Sequence, residues 1–279
     1  MSIYLINNIP VKKSTPYFSP DSRGYRYGDG FFESCVFFGH RILHLAIHAE
    51  RIQQSSLLLQ IQLPPDWNTE AWEIAVKNAC MDALIPFARI RLTVFREGEG
   101  YYAPNGSGVC IVTQITPILK EGPYEWNTKG LKVDTYKELS KNSNYISTLK
   151  TCSALIYTMA SLYAKQKGLD EVIMFNEFGR PCEASSSNIF VVKGEFILTP
   201  PISEYCIDGV MRRVLMSLID AYGYNLQERM ITEVDLSASE EIILTSATRG
   251  IQWVCDYQGK KLKHIVAQVL FDRLIKSIQ

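Results

Sequence analysis

The chain has no apolar run approaching the ~18 residues that a membrane-crossing helix needs. Its 29 Lys and Arg are matched by 29 Asp and Glu, so neither sign of charge is in excess. A basic stripe for nucleic acid and a charged run for a membrane surface are both missing. Cysteine is scattered, seven residues at 35, 80, 110, 152, 182, 206 and 255, with no pair at C-x-x-C spacing. An odd, dispersed set makes no disulfide framework and fits a reducing compartment. The four histidines show no ligand spacing beside cysteine, so no metal is expected. The start, Met1-Ser2-Ile3-Tyr4-Leu5-Ile6, lacks the cationic region and long apolar stretch of a secretory signal. No repeat or low-complexity segment is visible. These absences lead to the expectation of a soluble cytoplasmic protein whose partner is a small molecule, with no nucleic acid and no membrane.

What is present is an ordinary globular balance: 279 residues, 47% hydrophobic and 21% charged. That length gives ample core for folding without staples, in one large domain or two smaller ones. Ile47, Ile52, Leu58 and Leu59 recur at a helical period between Leu45 and Gln60, and a second helix is expected over Glu70 to Met81. Ala88, Ile90, Leu92 and Val94 alternate with Arg89, Arg91 and Thr93, the pattern of a half-buried strand. Between Thr116 and Gly130 the periodicity fails, with prolines at 117 and 123, so a linker is placed at 116–130. Strands then alternate with helices: a helix from about Cys152 to Lys167 closed by Gly168, one after Gly209, and a last one around His264 to Ile275. The expected fold class is α+β in two domains, a small one at 1–115 and a larger one at 131–279.

The residues able to carry chemistry stand in five segments. They are Asp21-Ser22-Arg23-Gly24-Tyr25-Arg26-Tyr27-Gly28-Asp29-Gly30-Phe31-Phe32-Glu33, His48-Ala49-Glu50-Arg51, Leu149-Lys150-Thr151, Cys182-Glu183-Ala184-Ser185-Ser186-Ser187-Asn188 and Asp208-Gly209-Val210-Met211-Arg212. In this order and spacing, over nearly the whole chain, they resemble the fold-type IV family of pyridoxal 5′-phosphate (PLP) enzymes. That family, class IV of the aminotransferases, holds branched-chain and D-amino-acid aminotransferases and 4-amino-4-deoxychorismate lyases.

The resemblance implies PLP held as a Schiff base on Lys150, which lies 33 residues before Glu183. Lys141, in Lys141-Asn142-Ser143-Asn144, mimics the family's local Lys-x-x-Asn pattern but stands nine residues farther from the later landmarks, so Lys150 is preferred. It implies that Glu183 faces the pyridine nitrogen, which keeps that nitrogen protonated and the ring an electron sink. Ser187 and Asn188 lie in the small-residue turn along the cofactor. The phosphate falls to Arg51, to the N–H groups of Gly209, Val210 and Met211 at a helix start, and to Ser246 and Ala247. Tyr27, Phe32, Tyr101, Thr248 and Arg249 are placed on the substrate side. A homodimer is implied as well.

Two features pull on the substrate. The Glu-Ile-Thr-Pro-like run of the aminotransferases is replaced by Arg249-Gly250-Ile251-Gln252-Trp253, which leans toward the lyases. The Arg-x-His pair of the D-amino-acid enzymes is missing, Arg96-Glu97-Gly98 leading into Glu99-Gly100-Tyr101-Tyr102. The expected activity is amino transfer between a small, branched-chain type amino acid and a 2-oxo acid. The alternatives are release of 4-aminobenzoate and pyruvate from aminodeoxychorismate, or an inactive binding homologue.

Overall fold

The computed structural model describes residues 2–12, 19–119 and 122–278, so positions 120 and 121 of the expected linker lie outside the described residues. The chain forms two compact units, Met1–Pro123 with Lys150–Ser153, and Tyr124–Leu149 with Ala154–Gln279. The first boundary between them lies at Pro123 and Tyr124. The return of Lys150–Ser153 to the first unit was not foreseen.

The first unit holds β1 (Ile3–Ile6), β2 (Ile9–Val11), the short α1 (Arg23–Tyr27), β3 (Gly30–Phe38), β4 (Arg41–Ile42), α2 (Leu45–Leu58), α3 (Thr69–Asp82), β5 (Phe87–Arg96) and β6 (Val109–Pro117). The strands run in the order β2-β1-β6-β5-β3-β4 and are antiparallel. The alternation read in β5 is kept: Ala88, Ile90, Leu92 and Val94 are fully buried, and Arg89 and Arg91 take the other face. Trp72 of α3 packs into that core and donates its indole N–H to Thr113 Oγ1 at 3.0 Å. Helix α3 starts where it does because the Asn68 side chain accepts the Ala71 N–H, a standard N-cap.

Lys150–Ser153 belong here because they run along β3. Phe32 N donates to Lys150 O, and Cys152 N donates to Gly30 O, both at 2.9 Å. Lys150 therefore does not open a helix. It sits in an extended segment after a 3₁₀ turn at Tyr145–Thr148, and the next helix begins only at Leu155.

The second unit holds β7 (Leu131–Lys141), α4 (Leu155–Gln166), β8 (Glu171–Asn176), β9 (Pro181–Ala184), β10 (Asn188–Lys193), β11 (Phe196–Thr199), α5 (Val210–Ala221), β12 (Asn225–Glu228), α6 (Glu233–Ala238), β13 (Glu241–Ser246), β14 (Gly250–Tyr257), β15 (Lys260–Lys261) and α7 (Ile265–Ile278). Its sheet runs β12-β11-β10-β13-β14-β7-β8-β9, with β15 beside β14. β7 is parallel to both β14 and β8, which buries it among apolar neighbours and explains its Leu131, Val133 and Tyr136. α5 and α7 present one apolar stripe each, Val210, Met211, Leu215 and Ile219 on the first, Leu270, Phe271 and Leu274 on the second. Truncating any of those leucines to Ala would cost about 2–5 kcal/mol. Among the described residues no helix is long and apolar enough to cross a membrane.

Candidate functional site

The sheet register of the second unit brings a carboxylate and an amine together. Glu183 on β9 pairs across to Met174 of β8, while Lys141, the last residue of β7, lies opposite Asn176 of β8 past an irregularity. Both side chains are buried, at 3% and 2% exposure, and Lys141 Nζ donates to Glu183 Oε1. Tyr157 of α4 donates its hydroxyl to the same oxygen at 2.8 Å. The backbone N–H of Ile207 donates to Oε2 at 2.9 Å. Burial, and then the Glu183 carboxylate, push Tyr157 well above the ordinary phenol range, so it stays a donor. Burial pushes the nearby Cys206 thiol up to about 12 and Cys182 higher still, so both stay neutral.

Beside this carboxylate stand the other expected cofactor residues of the second unit. Asn188 opens β10 opposite Thr245 of β13, and its amide donates to Ile207 O at 2.7 Å. Its Oδ1 lies 1.9 Å from where a Cβ on Gly209 would sit, so only glycine fits at that helix start. No side chain caps α5, so its first N–H groups and the positive end of its dipole are left for an anion. Thr245 Oγ1 and Ser246 Oγ are buried without a hydrogen-bond partner among the described residues. Ala247 contributes its carbonyl, which accepts from Tyr124 at 3.0 Å. This is a donor set that suits a phosphorylated pyridine: a carboxylate for the ring nitrogen, and a helix start with orphaned hydroxyls for the phosphate.

Two expectations change in character. Ser187 Oγ donates to Glu171 and accepts from Arg249 Nη2 at 3.0 Å, so it ties two loops rather than merely making room. Arg249, expected on the substrate, also reaches Glu171 Oε2 at 2.7 Å and Ser186 Oγ at 2.6 Å. The buried Glu171, 1% exposed, is the anchor, and nothing local in the sequence marks it. Thr248 lies in the turn between β13 and β14.

The first unit carries the remaining expected residues. Lys150 Nζ lies 4.6 Å from the centroid of the Phe32 ring. Arg91 stacks its guanidinium on the same ring at 3.7 Å and makes no hydrogen bond or ion pair among the described residues. Burial lowers the Arg91 pKa from its ordinary value, the sign of a desolvated cation. Arg91 was read only as the polar half of an alternating strand.

Arg51, expected as a phosphate arginine, is 5% exposed and donates through Nε and Nη2 to both oxygens of Glu33, at 2.7 and 2.6 Å. His48 Nδ1 meets the same carboxylate at 2.6 Å. Burial alone would raise Glu33; Arg51 and His48 overcome it and hold the carboxyl at about 2. Tyr27 ends α1 just before Gly28, whose φ of +63° closes the helix in the left-handed region. Arg23, 2% exposed, donates to the carbonyls of Tyr101 and Tyr102 at 2.6 and 2.8 Å and to Asp29 at 2.8 Å. The Tyr101 side chain itself is 82% exposed, so what the structure fixes there is the backbone.

The family model described as amino-transferase class IV matches residues 30–257. A putative branched-chain-amino-acid aminotransferase of Methanocaldococcus jannaschii is 27% identical over 272 residues, 95% of this chain and 90% of that protein. An aminodeoxychorismate lyase of Vibrio harveyi is 24% identical, over 82% of this chain and 83% of its own length. Among solved structures, the PLP-bound form of a hypothetical aminotransferase from Mycobacterium tuberculosis covers 100% of both chains at a TM-score of 0.82 and 21% identity, which shows the fold.

Proposed function

The chain belongs to the class IV aminotransferase family, a PLP-dependent family, and on that premise we propose that it binds PLP and moves an amino group between a branched-chain type amino acid and a 2-oxo acid. The observation that carries the reading is Glu183, a buried carboxylate fixed by three donors beside the uncapped start of α5. When bound, the cofactor supplies the electron sink for bond breaking at the substrate α-carbon. Glu183 holds the proton of the ring nitrogen. The amides of Val210 and Met211 and the hydroxyl of Ser246 hold the phosphate.

Lys150 would be the amine that holds the cofactor's aldehyde and moves the proton at the substrate α-carbon. The two lysines divide on chemical grounds. In the pyridine ring the nitrogen and the aldehyde-bearing carbon are opposite one another. An amine bonded to the carboxylate that serves the nitrogen is therefore at the wrong end, and Lys141 is that amine. Lys150 stands instead with Phe32, an apolar surface for the substrate, and with Arg91, a desolvated guanidinium suited to a carboxylate. Assembly as a homodimer, which rests on the resemblance, and a cytoplasmic location, which rests on the scattered, unpaired cysteines, belong to the same proposal.

The test is borohydride reduction of the purified protein followed by peptide mapping, together with assays of leucine with 2-oxoglutarate and of aminodeoxychorismate. The pyridoxyl mass is expected on Lys150 and absent from the Lys150→Ala protein. A label on Lys141 would sink the lysine assignment. Release of 4-aminobenzoate without keto-acid exchange would make the enzyme a lyase, the reading that the Arg249–Trp253 segment and the Vibrio harveyi relative favour.

A further inference from the structure

We propose that Lys141 is the charge partner of Glu183, a positioning residue that holds this carboxylate ionised and aims one lone pair of Oε2 at the cofactor's ring nitrogen. The proposal rests on the preceding reading that PLP binds here and is attached elsewhere than Lys141.

It follows from counting acceptor places. An ionised carboxylate offers about four lone-pair sites, two on each oxygen. Oε1 of Glu183 accepts from Lys141 Nζ and from the Tyr157 hydroxyl, which fills it. Oε2 accepts from the Ile207 N–H alone among the described residues. One site is therefore open, and it is on Oε2. The three donors come from three elements: the end of β7, helix α4, and the loop ahead of α5. The carboxylate consequently has no freedom to turn its filled oxygen toward a ligand.

The charge matters as much as the direction. Glu183 is 3% exposed, and charge is kept out of water more readily beside an opposite charge than alone. Of the titratable groups that act on Glu183, Tyr157, Cys182 and Cys206 are each pushed upward, first by burial, and remain neutral donors. Lys141 is the group that brings positive charge, and its amine is buried with it. A protonated Glu183 would offer the ring nitrogen a competing proton instead of an acceptor. Lys141 thus acts on the cofactor through Glu183 and touches no reacting atom.

The experiment compares wild type, Lys141→Met, Lys141→Gln, Lys141→Arg and Tyr157→Phe. Apoprotein is titrated with PLP by fluorescence quenching, and the absorbance of the bound cofactor is followed against pH. Loss of a charge-assisted hydrogen bond corresponds to PLP binding roughly ten- to a hundredfold weaker in Lys141→Met. Its kcat falls while the KM for the amino donor changes little, and the absorbance transition moves in pH. Lys141→Arg restores most of the affinity, and Tyr157→Phe, which keeps the charge, loses less than Lys141→Met. Borohydride still fixes PLP on Lys150 in every variant. Unchanged PLP affinity and an unmoved absorbance profile in Lys141→Met overturn the proposal. If Lys141→Met does not fold, equal affinity of Lys141→Gln and Lys141→Arg overturns it in the same way. An adduct that maps to Lys141 in the wild type overturns the lysine assignment first, and a wild type that binds no PLP overturns the function itself.

Discussion

Glu33 can be tested by removing its charge while leaving its shape. In Glu33→Gln, the Arg51 guanidinium keeps its place at 5% exposure but loses a carboxylate that now accepts from its Nε and Nη2 at 2.7 and 2.6 Å. Breaking a buried pair by removing one partner costs about 3–5 kcal/mol, because the other charge is left uncompensated. With the ~2–4 °C per kcal/mol typical of chains of this size, the first-unit transition should fall by roughly 6–20 °C in calorimetry. Arg51→Met should lose a similar amount. The double variant Glu33→Leu/Arg51→Met should lose clearly less than either single change, since no lone charge remains. Acid gives an independent handle. Glu33 is held at about 2, below its ordinary 4.5, so its share of stability is present above pH ~4.5 and is lost as pH falls toward 2. That difference corresponds to about 3 kcal/mol, and it should shrink in the pH–stability curve of Arg51→Met, where only His48 still lowers Glu33. Single losses that simply add in the double variant, within ~0.5 kcal/mol, would refute the coupling.

Gly209→Ala places a Cβ 1.9 Å from Asn188 Oδ1, so Asn188 must give up its bond to Ile207 O or α5 must shift. PLP affinity, read by titration of the apoprotein, should drop by about tenfold or more; an unchanged value would show that this close approach has no part in binding. Arg91→Leu keeps the stack on Phe32 apolar but removes the cation. The KM for a substrate read through its carboxylate should rise roughly ten- to a hundredfold with a smaller change in kcat, and equal KM values would remove Arg91 from the site.

The elements whose period is strong were legible. The alternation in β5 shows in the sequence because one face of the strand is buried by itself. In α2 the helix itself is where the period places it, but of the expected apolar stripe only Ile52 is fully buried, and the rest of the buried face is His48, Arg51, Ser55 and Ser56. Very short elements were not legible. β9 spans only Pro181–Ala184 and α1 only Arg23–Tyr27, too short for a period to form. At the site, Glu183 and the Gly209 helix start were legible because their chemistry is local. Lys141 was set aside as a mimic because its meaning is not local. It depends on the register of β7 against β8 and of β8 against β9, including two irregularities that no residue pattern announces. The helix expected from about Cys152 begins only at Leu155, because Lys150 to Cys152 pair with β3 instead. Arg51 was read by type and spacing alone, which cannot show that Glu33, eighteen positions earlier, claims two of its nitrogens.

A zero net charge conceals how this chain uses its charges. Glu33 with Arg51, Glu183 with Lys141, Glu171 with Arg249 and Asp29 with Arg23 are four carboxylate–cation pairs in which at least one partner is buried. Each carboxylate also takes a donor beyond the main cation: His48, Tyr157, Ser186 and Arg96 respectively. Such pairs are poor sources of stability, since apolar replacements of similar volume often do as well or better. What they do well is remove rotational freedom from the groups they hold. Glu183 is fixed in direction, Arg51 in plane, the Ser186–Ser187 turn against Arg249, and the Tyr101–Tyr102 backbone against Arg23. Groups that must face a ligand in fixed directions before it arrives have reason to keep such pairs. Preorganised groups need no rearrangement at the moment of reaction, which is where electrostatic catalysis gains. The pairs are then expected to matter more for kcat and cofactor affinity than for melting temperature when the pair as a whole is replaced by apolar residues, and less so when one partner is removed alone.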